Sequence, residues 1–137
     1  IVADLREMMQ NKVGIIRSKS LLEEALLDLN EISSRGELSS PRGGKIYNPG
    51  WHQALEINAM VDISRMCTIA ALAREESRGG HTREDYPTPD YSYWGKVNSV
   101  ISMDDDGSMK LEHRSYPVMS KELRQLLDES DLQLEEE

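Results

Sequence analysis

The chain has 137 residues, enough for one domain with a real core and too few for two comfortable ones. Sixteen basic against 25 acidic residues leave a net charge of −9, which argues against an electrostatic nucleic-acid binder. A single cysteine, Cys67, excludes an internal disulfide framework and suits a reducing compartment.

In chain order, Val2, Leu5, Met8 and Met9 recur at helical spacing, with Asp4 near the start where a carboxylate favours the helix dipole. A first helix is therefore predicted over 2–12. Gly14 then invites a break. Ser20 and Glu23 form a capping box for a second helix, which could also begin a turn earlier at Ser18. Its apolar face carries Leu21, Leu22, Ala25, Leu26, Leu29 and Ile32 and runs to about residue 34. Residues 33–50 are rich in Ser, Gly and Pro and read as a long loop of the kind that often lies across a neighbouring surface.

The third and longest helix is predicted from Trp51 to about Ser77. It is apolar nearly all round, with a narrow polar stripe at Asn58, Asp62 and Arg65, so it must be covered on more than one side. Two shorter helices cover part of it, and something else is expected to cover the rest. After residue 87, "KVNSVISM" and "SMKLEHRSY" read as strands joined by "DDDG", whose Asp-Gly step signals a hairpin. Ser120 then caps a last short helix with Leu123, Leu126 and Leu127 on one face. The final "DLQLEEE" reads as a solvated, fraying tail.

No run of about 18 apolar residues occurs, so direct membrane insertion is not expected. No secretory leader is recognisable, and the lack of an initiating Met suggests a piece of a longer polypeptide. His52, His81 and His113 lie far apart without metal-ligand spacing, so no metal site is expected. Cys67 reads as a small packing group in a helix, with no base nearby to make it a nucleophile. No dinucleotide fingerprint or phosphate loop is present. Asp104–Gly107 lacks the ligand alternation of a calcium loop.

The densest chemistry is "REESRGGHTREDYP", residues 74–87. One reading is mechanical: Gly79 stops the long helix in the left-handed conformation, Arg74 and Arg78 complement its negative end, and His81 to Asp85 lead an extended strand to Pro87. The other has Arg78, His81 and Arg83 gripping a carboxylate or phosphate. Charge alone does not separate the two, because arginine forks serve buried carboxylates and ligands equally well.

Here the sequence resembles the C-terminal domain of the succinate dehydrogenase and fumarate reductase flavoprotein subunits, within the L-aspartate oxidase superfamily. The signature A-R-x-E-S-R-G-x-H-x-R-x-D-x-P is matched at Ala73, Arg74, Glu76, Ser77, Arg78, Gly79, His81, Arg83, Asp85 and Pro87. "LREMMQNKVGIIRS" is similar to the family's first helix and G-I-x-R turn, with Arg17 the matching arginine. The later W-x-K-H pattern keeps Trp94 and Lys96, after Asp90, and has Val97 in place of the histidine.

The resemblance implies a mainly α fold. Residues 1–87 would form a spectrin-like three-helix up-and-down bundle, and 88–137 a β-hairpin and terminal-helix tail of the same domain. It also implies FAD in a separate Rossmann-type domain of the full subunit, which interconverts succinate and fumarate. Catalytic, cofactor-binding and metal residues would then all lie outside this chain. Arg17, Arg78, His81, Arg83 and Asp85 are expected to fix a domain junction. The implied partners are the N-terminal FAD-binding and capping domains and the iron-sulfur subunit, with no nucleic acid. The implied location is the cytoplasmic face of the bacterial inner membrane. L-aspartate oxidase shares a similar bundle and is the alternative, with a free-standing helical interaction module as the rival from another class.

Overall fold

The computed structural model describes residues 1–124. Three helices lead: α1 (Val2–Lys12), α2 (Lys19–Glu37) and α3 (Pro49–Ala73), with a two-residue strand β1 (Ile16–Arg17) between the first two. A second short strand, β2 (Thr82–Arg83), pairs in parallel with β1, Ile16 opposite Thr82 and Arg17 opposite Arg83. An antiparallel hairpin of β3 (Val97–Met103) and β4 (Met109–Ser115) comes next, and then one turn of helix, α4 (Lys121–Arg124).

The predicted helices exist, and their ends are set by local chemistry. α2 starts at the earlier of its two candidate caps, where the Ser18 hydroxyl accepts the Leu21 N–H at 3.4 Å. It continues past residue 34 to Glu37 with Gly36 inside it. That glycine is required by proximity, because a Cβ there would meet Cγ2 of buried Ile57 at 2.9 Å. α3 begins two residues before Trp51. Asn48 caps it by accepting the Gly50 N–H, and Pro49 occupies a first-turn position where its missing donor costs nothing.

The break after α1 has a different cause from flexibility. A side chain at Gly14 would strike the Gln10 carbonyl oxygen at 2.5 Å, so only glycine lets the chain turn this tightly towards β1.

Leu5, Met8 and Val13 pack with Leu22, Ala25, Leu29 and Ile32 of α2 and with Val61 and Ala71 of α3. Thr68, fully buried in the same helix, satisfies its hydroxyl by donating to the Ser64 carbonyl at 2.8 Å. The hairpin turns where expected, with Gly107 at φ 82° and the Gly107 N–H bonded to the Asp104 carbonyl. Ser120 caps α4 through the Leu123 N–H. Leu126 and Leu127 lie outside the described residues.

Two expectations for the long helix are corrected. It ends at Ala73 rather than Ser77, with Arg74 already extended at φ −81° and ψ 101°. Gly79 is left-handed, at φ 60°, but it turns a small reversal in which Arg78 and His81 exchange backbone hydrogen bonds. The helix is stopped instead by side chains that take over its last carbonyls. The polar stripe borders the α2 seam: Arg65 donates to Asn30 of α2 at 2.8 Å, and Asn58 lies beside Gly36.

Truncating Leu29, which is fully buried between the helices, is expected to cost about 2–5 kcal/mol, whereas Leu27→Ala on the exposed side of α2 should stay within about 0.5 kcal/mol. Urea unfolding followed by circular dichroism measures both. Equal losses would contradict this assignment of the α2 core face.

Candidate functional site

Four of the five residues singled out by the sequence, Arg17, His81, Arg83 and Asp85, bring their side chains together, and Arg78 joins them only through its backbone pair with His81. Parallel pairing of β1 and β2 sets Arg17 beside Arg83, and the 78–81 reversal turns His81 back towards them. Each arginine then serves a helix end. Arg17 Nε donates to the carbonyls of Val13 and Gly14, at 3.1 and 2.6 Å, closing the C-terminus of α1.

Arg83 does the same for α3 from a fully buried position. Its Nη1 is shared among the carbonyls of Ala71, Leu72 and Arg74 at 3.0, 2.9 and 3.2 Å. Nε and Nη2 form a fork onto the two Asp85 carboxylate oxygens at 2.8 and 2.7 Å. The guanidinium also lies 5.0 Å from the Tyr86 ring centroid.

Asp85 completes the bridge in the other direction. Its Oδ2 accepts the Lys19 N–H at 3.2 Å, at the N-terminus of α2, where the helix dipole favours a negative charge. The Arg83 fork holds the Asp85 carboxyl down to about 2, with burial opposing and the Lys19 N–H adding to the effect. One ion pair therefore joins the negative end of α3 to the positive end of α2.

His81 sits between two of these groups. Its Nε2 donates to the Arg74 carbonyl at 3.1 Å, which leaves Nδ1 as acceptor for Arg17 Nη1 at 2.5 Å. That arrangement needs a neutral ring. Burial lowers the His81 pKa, the bond to the Arg74 carbonyl opposes this, and the charges of Arg17, Arg74 and Arg83 lower it further.

A second hub was present in the motif but not among the expected site residues. Glu76 is fully buried, and its Oε1 receives Arg74 and, at 3.1 Å, Arg78. Its Oε2 accepts the Asp90 N–H at 2.8 Å. Burial works against its charge, but the Asp90 N–H and the two arginines together hold its pKa below the ordinary carboxylate value. Ser77 joins the same knot, accepting the Arg83 N–H at 2.7 Å and donating to the Tyr86 carbonyl at 2.7 Å. Two arginines flanking an acid in one short run, "REESR", was the available signal, because a carboxylate between cations is the kind that can be buried.

Arg78 faces outward from this knot, donating to the Trp94 carbonyl at 2.8 Å and lying 5.6 Å from the Tyr91 ring. It thereby fastens the segment after Pro87 to Glu76. Trp94 is buried against the His113 ring at 4.8 Å, and the Tyr93 hydroxyl meets His113 Nδ1 at 2.7 Å. Val97 opens β3 opposite Ser115, so the imidazole packed on Trp94 comes from β4. No group of three or more His, Cys, Asp or Glu among the described residues is placed to hold a metal.

A helical domain whose helix ends are tied together by buried arginine–carboxylate pairs is what this geometry defines. The family model for the fumarate reductase flavoprotein C-terminus matches residues 2–130, and the chain belongs to that family. The chain is 37% identical over 91 residues to a fumarate reductase flavoprotein subunit of Helicobacter pylori, covering 66% of this chain and 13% of that protein. It is 31% identical over 119 residues to a succinate dehydrogenase flavoprotein subunit of Rickettsia conorii, covering 83% and 20%. Among solved structures, Mycobacterium smegmatis Sdh1 in complex with UQ1 superposes with a TM-score of 0.81 at 36% identity, over 96% of this chain and 22% of that one. The chain thus spans about a fifth or less of the length of these relatives, and it corresponds to the C-terminal domain of such subunits.

Arg83→Ala should destabilise the chain by about 3–5 kcal/mol, because it strips the α3 carbonyls and leaves Asp85 without its fork. Arg83→Lys should recover only part of this loss in chemical denaturation, because a single ammonium nitrogen cannot face both Asp85 oxygens and the α3 carbonyls as the planar fork does. Full recovery by lysine would show that charge alone suffices.

Stability should also fall with pH in two windows. Because the folded His81 pKa is lowered, the unfolded chain binds the extra proton, so stability declines as pH drops below the ordinary imidazole value of 6.5. The Asp85 contribution is intact above its ordinary 3.8 and is lost as pH falls towards about 2. Unfolding free energies measured from pH 8 to 2 should show the upper window vanish in His81→Gln while the lower one remains.

Proposed function

We propose that this domain braces the flavin-carrying part of a succinate dehydrogenase or fumarate reductase flavoprotein subunit and contributes no catalytic residue of its own. In this reading residues 1–87 are a spectrin-like up-and-down bundle, and 88–137 are a tail of the same domain. FAD occupies a separate Rossmann-type domain, where succinate and fumarate are interconverted. Arg17, Arg78, His81, Arg83 and Asp85 fix the junction between bundle, loop and tail that presents the domain to its neighbours. Those neighbours are the FAD-binding and capping domains of the same polypeptide and the iron-sulfur subunit, at the cytoplasmic face of a bacterial inner membrane. No helix among the described residues is long and apolar enough to cross a membrane, which is compatible with a peripheral position.

The observation that carries the reading is the commitment of the polar groups. Arg17, His81, Arg83 and Asp85 bond to one another and to helix ends, so their donors and acceptors serve the fold. Candidate general acids and bases would instead face an open cleft with a free lone pair or proton. L-aspartate oxidase, the alternative reading, is the weaker match.

Mixing the purified chain with FAD and recording the visible spectrum should give the spectrum of free flavin. A stoichiometric, shifted flavin band would overturn the placement of the cofactor elsewhere. In the complete subunit, Arg78→Ala should lower the flavin-loaded, assembled fraction by cutting the link from Glu76 to the Trp94 carbonyl. Normal assembly together with an unchanged melting temperature would leave Arg78 without the junction role.

A further inference from the structure

The loop between α2 and α3 is long but pinned. Asn48 caps α3 with its Oδ1, and its Nδ2 donates to the Arg42 and Gly44 carbonyls at 2.8 and 2.9 Å. Gly43, at φ 90°, and Tyr47, at φ 54°, make the left-handed turns between those bonds. Pro41 folds back to 3.6 Å from the point where a side chain on Gly50 would begin. One side chain thus fixes three backbone groups, and the loop holds a set shape against the first turn of α3.

Held there, residues 39–42 stand opposite the first turn of α1. Between them lies a cavity of about 440 Å³, walled by Ile1, Val2 and Ala3 on one side and by Gln53 and Ala54 of α3 on another. Small ligands are held by a few converging polar groups, and the amide in this wall, Asn48, is already committed to the loop. Two features point instead to polypeptide. Ile1 is the N-cap of α1 and makes no side-chain capping bond, so the N–H groups of that first turn are left to the backbone that comes before. Ile1 also lines the cavity, so chain entering α1 passes along its rim.

We infer that this cavity seats the segment immediately preceding Ile1 in the parent subunit, with residues 39–50 as its clasp. This rests on the bracing role proposed above and gives it a first contact. The matching family is a C-terminal one, and its relatives carry roughly four-fifths or more of their length outside the matched region. A segment joined covalently at Ile1 meets the cavity at high effective concentration, whereas a second copy or a separate partner must first associate.

Gln53, exposed on the cavity wall, carries the test. In the complete native subunit, iodoacetamide should alkylate Gln53→Cys about tenfold or more slower than after unfolding in urea, read by peptide mass spectrometry. A photocrosslinking p-benzoylphenylalanine placed at position 53 identifies the occupant. Its cross-links should fall within about ten residues upstream of Ile1, roughly 15 Å of chain if α1 continues as a helix. Native alkylation at the unfolded rate, cross-links only to another segment or another chain, or no cross-link at all, overturns the clasp. Flavin content and succinate oxidation of the same samples report on the proposed function, so the two readings fail separately.

Discussion

Helix ends of opposite polarity need partners of opposite charge, and here one ion pair supplies both. The Arg83 guanidinium lies under the last carbonyls of α3, and Asp85, locked to it by a two-point fork, reaches the first N–H of α2. A buried arginine is tolerated only when its donors are satisfied, and the three sides of this one meet carbonyls, a carboxylate and an aromatic ring. From that fixed point, β2 is held parallel to β1, and Arg17 is brought to the end of α1. The relative placement of all three helices thus depends on a charge pair two residues apart in sequence.

The same knot connects the three helices to the hairpin. Glu76 collects two arginines and the Asp90 N–H, while Arg78 reaches on to the Trp94 carbonyl. Trp94 packs against His113 on β4. The hairpin is thereby tied to the residues that follow α3 through an aromatic stack, Arg78 and the buried Glu76 carboxylate, while its strands also lie directly against α3. Such a chain of satisfied polar contacts rigidifies because any single loss strands a buried group. The donors and acceptors of this dense motif are thus committed to contacts within the fold.

Much of this was legible in the sequence because it is local. The 3.6-residue period located three helices, the Asp-Gly step located the hairpin turn and Ser120 announced its cap, while at α2 the Ser20–Glu23 box gave way to the alternative cap, Ser18. The family signature gathered Arg17, Arg78, His81, Arg83 and Asp85 before any contact was known. What the sequence misjudged was non-local. Gly79 offered a plausible helix stop, and nothing within the helix revealed that a side chain ten residues past Ala73 would take its carbonyls first. Glu76 was matched in the signature without a role, since its burial depends on Arg74, Arg78 and the Asp90 N–H closing round it in the folded turn.

The outward side of α3 shows the division most clearly. From residue order alone, the helix could be recognised as apolar nearly all round and therefore in need of more than one covering surface. Which side the two shorter helices would take was decided by packing: Gly36 lets α2 close on Ile57, Arg65 then pairs with Asn30 across the seam, and Leu55, Ala59, Ile63 and Cys67 are left outward. Sequence determined the elements, the caps and the cast of charged residues, because periodicity and local hydrogen bonding act over a few residues. Only the tertiary structure decided which carbonyls each arginine closes, which carboxylate is buried and which apolar face stays bare, because those outcomes depend on groups that meet only when distant segments pack.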